Sequence, residues 1–439
     1  MIVTSRSRLL AAGLVLGVFA AAAASAASGH GSLDPSFGAG GKVTTSIGSF
    51  SVAQAVAVEP DGKLFVAGTT STKVGDSVAL ARYLPNGSLD RTFGRNGRVI
   101  TPVGPYCCEG YVSALVVQAD GKPVLAGTSI NSEGTDFDRG YVLRWNANGS
   151  LDRGFGKGGE VIFGSNVGET TSVAEGLVVR PDGKLVVSGA FIPEDLVYDT
   201  ALVRYDPDGT PDPSFGNGGV VRTPGAGGAG PLLLQGDGKL VAGRAGSISQ
   251  GYFFARYNAN GGLDRSFGRG GRTPRIPLGQ DGWIAGAAFE PDGKLVVAGT
   301  TLDDTDSVES ITLARFDRRG NLDTSFGTRG TVTTSIAGST CSGAATVAVQ
   351  KDGKIVVGGH QRRVCGNEGS AAAETGFALF RYTAKGRLDP SFGSGGVVVT
   401  PMRSEGVAAL TAQPDDKLVA AGSRRSPGSM RFQLVRYLP

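Results

Sequence analysis

The sequence predicts an all-β fold: a seven-bladed β-propeller of four-stranded antiparallel blades, closed by the N-terminal strand joining the C-terminal blade. Three observations carry this prediction. Three motifs recur seven times in one fixed order. Each repeat reads as four short strands with no helical period. The second strand of each repeat is apolar on consecutive residues, as in Leu64, Phe65, Val66 and Ala67, so both faces of its sheet need cover.

Residues 1–28 stand outside the fold. Arg6 and Arg8 precede an apolar run from Leu9 to Ala24 and the small residues Ala24, Ser25 and Ala26, which is the pattern of a cleavable secretory signal. The run is too short for a bilayer span. The mature chain, 29–439, is therefore expected outside the membrane, secreted or at the exterior of the cell envelope, with no membrane span. Without Arg6 and Arg8, 41 basic residues face 39 acidic ones, so nothing calls for nucleic acid or an anionic surface.

The repeat is then read in chain order. An LDxSFG-like motif begins at Leu33, Leu89, Leu151, Pro211, Leu263, Leu322 and Leu388, at spacings of 52 to 66 residues. A DGK motif places its Asp at 61, 120, 182, 237, 292, 352 and 415, and a third motif, a strand ending in Arg plus an aromatic residue, places Arg at 82, 144, 204, 256, 315, 381 and 436. In the first full unit, strands are predicted at Val52–Val58, Leu64–Ala67, Val78–Tyr83 and Arg98–Thr101. The Asp61-Gly62 pair turns the first hairpin, and Gly94 and Gly97 allow positive φ between the third and fourth strands. A lone strand, Lys42–Thr45, precedes the first unit, while the last unit stops after its third strand at Tyr437. The lone strand is expected to complete that last unit. A solenoid has shorter coils, and a sandwich rarely repeats one motif seven times.

These motifs resemble the delta-60 repeat β-propeller family, whose units run LDxSFGxxG, a short strand, then PDGK and an apolar strand ending in Gly. The resemblance covers residues 31–439 and implies the propeller fold without an agreed activity. Pro211 in place of Leu, Asp416 in place of Gly, and the short Gly-rich unit between Thr223 and Gly262 depart from the pattern.

Loop lengths separate two faces. The Arg of the third strand stands 7 residues before the next LD motif in every case, whereas the distance from the Gly ending the second strand to that Arg runs from 13 to 22. The variable connections leave the same side of a four-stranded meander, so one face is scaffold and the other is where recognition is expected. The motif acids and bases read as turn caps and local ion pairs, and the motif Phe residues as packing between blades. The FGxGG stretches are not phosphate loops, because no helix follows them.

Candidate functional residues all fall on the variable side. Cys341 lies just before a first strand and Cys365 in the longest loop of the same unit, so a disulfide between them could pin that excursion and contribute about 3 kcal/mol. Cys107 and Cys108 are neighbours, which leaves a vicinal disulfide, two free thiols or an intermolecular link. Glu109, Glu169, Asp281 and Glu405 precede first strands, near the expected mouth of an axial channel. Asp303, Asp304 and Asp306 offer hard oxygen ligands that would suit Ca²⁺, although their spacing matches no calcium loop and no other cofactor is evident. With only His30 and His360, a histidine-based metal centre or charge-relay triad has little material. The expected function is a secreted, monomeric binding or interaction scaffold for a glycan, peptide or surface partner. The alternative is a propeller hydrolase or lyase that uses channel-mouth carboxylates, with or without Ca²⁺.

Overall fold

The computed structural model describes residues 29–439 apart from 73–74, 104–108, 131–137, 166–170, 193–197, 224–226, 246–250, 277, 279–281, 303–308, 337–340 and 363–375. The described residues form β-strands and turns, with no α-helix among them. After β1 (Lys42–Thr45) come β2 (Phe50–Val58), β3 (Leu64–Thr72), β4 (Gly75–Tyr83) and β5 (Arg98–Pro102), then β6 (Glu109–Val117), β7 (Pro123–Ile130), β8 (Arg139–Arg144) and β9 (Glu160–Ile162). Next are β10 (Ser172–Val179), β11 (Leu185–Phe191), β12 (Asp199–Tyr205) and β13 (Val220–Thr223), followed by β14 (Ala229–Leu234), β15 (Leu240–Ala245) and β16 (Tyr252–Tyr257). The chain continues with β17 (Trp283–Phe289), β18 (Leu295–Leu302), β19 (Glu309–Phe316) and β20 (Thr331–Thr334), then β21 (Cys341–Val349), β22 (Ile355–Arg362), β23 (Phe377–Tyr382) and β24 (Val397–Thr400). It ends with β25 (Ser404–Ala412), β26 (Leu418–Ser426) and β27 (Ser429–Tyr437).

Each group is an antiparallel meander. The strands of the first unit contain those read from the sequence and extend them. β1 pairs with β27 in the register Lys42↔Val435 to Thr45↔Phe432, so the N-terminal strand is the fourth strand of the C-terminal meander. The first strands touch in order, β2 to β6, β10, β14, β17, β21 and β25, and β25 touches β2. Apolar cores lie between successive meanders. One joins Phe65 and Leu80 to Val112 and Leu143, and another joins Ala53 and Val66 to Val419 and Phe432 at the two ends of the chain. Second and third strands are buried along their length, as in Leu185–Phe191, because a neighbour covers each face.

Two local features differ from the simple pattern. The DGK hairpin is a three-residue loop: the Gly62 N–H bonds the Glu59 carbonyl, the Glu59 N–H bonds the Lys63 carbonyl, and Gly62 takes φ 84. The Gly-rich unit keeps β14, β15 and β16, and among the described residues no fourth strand follows them, only isolated bridges at Ala255↔Arg272 and Tyr252↔Ile276. Pro274 between them has no N–H to give to a ladder.

Candidate functional site

The face bearing the LDxSFG and DGK turns repeats one Arg–Asp pairing from unit to unit. In one unit the Nε of Arg204 donates to Asp212 Oδ2 at 2.6 Å, Lys184 Nζ lies 2.6 Å from the same oxygen, and Asp212 Oδ1 accepts the Ser214 N–H at 3.0 Å. The Arg204 guanidinium sits 4.7 Å from the centre of the Phe215 ring. Asp34 repeats this arrangement across the termini. Burial raises its pKa, but the Ser36 hydroxyl and N–H and the charges of Arg436 and Lys417 outweigh that and hold it at about 2.

The same turns tie each unit to the next. Arg82 donates to the carbonyl of Ala147 at 2.8 Å and Arg256 to that of Arg318 at 2.9 Å; Arg436 reaches Pro85 in the same way. The Gly94 N–H bonds the Asn148 carbonyl and the Gly38 N–H the Asn86 carbonyl, each at 2.8 Å. His30 belongs to this set, its carbonyl accepting from Gly393 N–H at 3.0 Å. Every motif Phe lies against a glycine of the following turn: a Cβ on Gly149 would come within 3.1 Å of Phe93, and one on Gly87 within 2.9 Å of Phe37. The repeated charges and rings are thus structural on this face, and they bind units together as well as capping turns.

The opposite face carries unlike residues. Phe50, Tyr198 and Trp283 are exposed there, two of them at the starts of first strands. The first strands share a β-bulge, placing Gln54, Ser113 and Glu175 outside the ladder at matching positions. Gln54 accepts the Val112 N–H at 3.1 Å and Ser113 donates to the Ala174 carbonyl at 2.8 Å, so each bulged side chain reaches the next first strand. Glu175 faces β14, where Pro231 stands at the matching bulge. Burial pushes the Glu175 carboxyl up to about 7. Burial also raises the Tyr111 phenol, and the nearby Glu175 charge adds to the shift against the Thr128 hydrogen bond.

The structure also brings together three residues far apart in sequence. His360 Nε2 and Glu309 Oε2 are 3.0 Å apart, and the sulfur of buried Cys341 lies within 4.8 Å of a donor atom of each. Their elements explain the meeting: Glu309 and Cys341 are bridge partners at the starts of β19 and β21, and His360 lies near the end of β22, opposite Gly343. The mixed N, O and S donors are unlike a calcium site, which takes oxygen ligands. Sequence reasoning passed over this cluster because strand register, not spacing, creates it.

Of the residues singled out from the sequence, Cys341 is placed, buried at the start of β21. Glu109 and Glu405 lie in β6 and β25, with their side chains outside the described residues. Cys107, Cys108, Cys365, Glu169, Asp281, Asp303, Asp304 and Asp306 lie outside the described residues altogether.

Strands stitched in this manner define an all-β repeat protein of propeller type. The chain belongs to the family described as "Domain of unknown function (DUF5122) beta-propeller", whose model matches residues 59–93, 118–155, 180–215, 235–267, 290–326 and 350–392. Each match opens two residues before a DGK Asp and closes on a motif Phe. A motif Asp at the same offset from Gln413 and a motif Phe at Phe37 lie outside the matched residues.

Solved structures similar in fold include the polysaccharide lyase Uly1, at 12% identity and TM-score 0.49 over 87% of this chain and 89% of that one. A polysaccharide lyase of family PL25, an ulvan lyase bound to -[GlcA(1-4)Rha3S]-, is 10% identical at TM-score 0.47 over 90% and 95%. Sqt1 from Chaetomium thermophilum is 12% identical at TM-score 0.41 over 91% and 100%. No curated protein matches the chain.

Proposed function

We propose that the meanders are the seven blades of a closed propeller with delta-60-type units, and that the protein is an exported, monomeric binding scaffold holding a glycan, peptide or surface partner on its variable-loop face. The cyclic contacts of the first strands and the β1–β27 ladder support closure. The contrast between the faces supports the function: one repeats the same bonds unit after unit, while the other exposes Phe50, Tyr198 and Trp283. Repetition on one side holds the frame, and unlike side chains on the other give a partner something specific to read. A disulfide from Cys341 to Cys365 would tie down the longest connection of that face.

A thermal-shift and array screen of the purified protein against glycans, peptides and Ca²⁺ tests this reading. A ligand whose effect is lost in Trp283→Ala or Tyr198→Ala supports it, and one unaffected by any variable-face change overturns it. A Ca²⁺ shift abolished by Asp304→Asn would favour the enzyme alternative instead.

A further inference from the structure

We propose that the groove between β5 and the connection that follows β1 binds the anionic end of a small phosphate or sulfate ester on Arg98. The groove has a volume of about 610 Å³, within the range of ligand sites. It crosses the seam between the ends of the chain: Ser46, Ile47 and Gly48, next to β1, line it together with Arg95, Arg98 and Ile100 of the first unit. No Asp or Glu is among its lining residues. The Ser46–Gly48 side is fixed, since the Ile47 carbonyl accepts the Thr70 hydroxyl at 2.5 Å and a Cβ on Gly48 would collide with the same hydroxyl.

Arg98 is a cation without a counter-charge. It is half-buried, its Nε is wholly buried with no hydrogen-bond partner, and among the described residues it forms no ion pair. The motif residue Arg82, by contrast, meets Asp90 at 3.0 Å. Burial raises the Tyr83 phenol, and Thr45 and the Arg98 charge act against that shift, which places the guanidinium near the Tyr83 ring inside the seam. Nothing in the repeat demands a cation there. Arg98 stands opposite Ala81, and the same register position holds Glu160, Val220, Thr331 and Val397 in other units. A charge drawn partly out of water with no partner costs free energy, and an anion seated in the groove offsets that cost.

Chemistry rather than shape singles out this groove. A groove of about 620 Å³ runs along β20 as well, where Thr328, Thr331 and Thr333 stand at the places of Arg95, Arg98 and Ile100. Its cations, Lys385 and Arg387, are exposed on a turn, where water already solvates them, so that groove is an internal control. A guanidinium offers N–H donors in a planar fork that meets two oxygens of a phosphate or sulfate together, and Arg95 adds a second positive charge to the lining. Ile100 is 43% exposed, which gives the carbon part of an ester an apolar surface to cover.

The test is calorimetric titration of the purified protein with phenyl phosphate and with phenyl sulfate, phenol serving as the neutral control. Binding of either ester supports the site, and the tighter of the two identifies the anion it takes. That binding is expected to weaken at least about tenfold in Arg98→Gln and in Ile100→Asp, to weaken as salt rises, and to stay unchanged in Arg387→Gln. Arg98→Gln should melt no lower than the parent, because an unpaired cation is removed; Ile100→Asp, at an exposed position, carries the test if Arg98→Gln does not fold. Absence of binding by both esters, equal binding of phenol, Arg98→Gln and Ile100→Asp variants that bind like the parent, or an equal loss in Arg387→Gln overturns the proposal. Phe50, Tyr198 and Trp283 do not line this groove, so either result leaves the variable-face reading as it stands.

Discussion

Arg329 holds φ at 53, where the matching turns place Gly40, Gly158, Gly218, Gly270 and Gly395, or Asn96. A side chain in the left-handed region costs roughly 1–2 kcal/mol, partly offset by the greater freedom glycine has when unfolded. Arg329→Gly is therefore expected to stabilise the protein by about 0.5–1 kcal/mol, read as a higher urea midpoint at unchanged slope; a lower midpoint would show that Arg329 makes a compensating contact. At this scale much was legible in the sequence. A constant offset of eight residues from Arg204 to Asp212 and its counterparts announced a local pair. The reach of Arg256 to the Arg318 carbonyl was not legible, because the two are 62 residues apart and meet only through blade packing. His360, Glu309 and Cys341 were hidden for the same reason.

Among the elements, the first strands combine a fixed backbone device with variable chemistry. Their bulges recur, but the residue there changes from Gln54 to Ser113 to Glu175, and the last of these is a carboxyl held up to about 7 by burial. Below about pH 4.5 it is protonated in both folded and unfolded chains and has no effect on stability. As pH rises toward 7 the unfolded chain ionises first, so stability falls, and the full penalty is present above 7. Its size is up to about 3 kcal/mol. Glu175→Gln should accordingly raise the urea midpoint at pH 8 and leave it unchanged near pH 4.5; an equal effect at both values would refute the titration. Strand positions were legible from apolar runs and turn glycines. The bulges were not, since one extra residue hardly disturbs a short alternating pattern. The Gly-rich unit was flagged for its composition between Thr223 and Gly262, yet among the described residues its irregularity includes the loss of a fourth strand, where Pro274 interrupts pairing beyond that segment.

For the whole molecule, the first and last segments behave as one unit. Thr44 donates to Gln433 at 2.7 Å, Arg436 pairs with Asp34 at 2.9 Å, and Phe37 is fully buried among residues of the first and last meanders. Removing residues 29–47 should lower the melting temperature by on the order of 10 °C and expose the edge of β27 to aggregation. A synthetic peptide of residues 31–47 should restore part of the loss; a truncated chain that melts like the parent would show that the seam contributes little. The lone Lys42–Thr45 strand and the incomplete last unit made this join legible, because a repeat cut at two points must be completed from both ends.

That join also orders events in time. β1 comes before the other described strands and its partner β27 after them, so during synthesis the strand waits unpaired while the residues between the two emerge. The entropy of closing so long a loop rises only slowly with length, but contacts between distant residues slow folding, and an early unpaired strand invites capture by other chains. Four residues, Lys-Val-Thr-Thr, make a short and mostly polar waiting strand, adhesive enough for one designated partner and a poor template for any other.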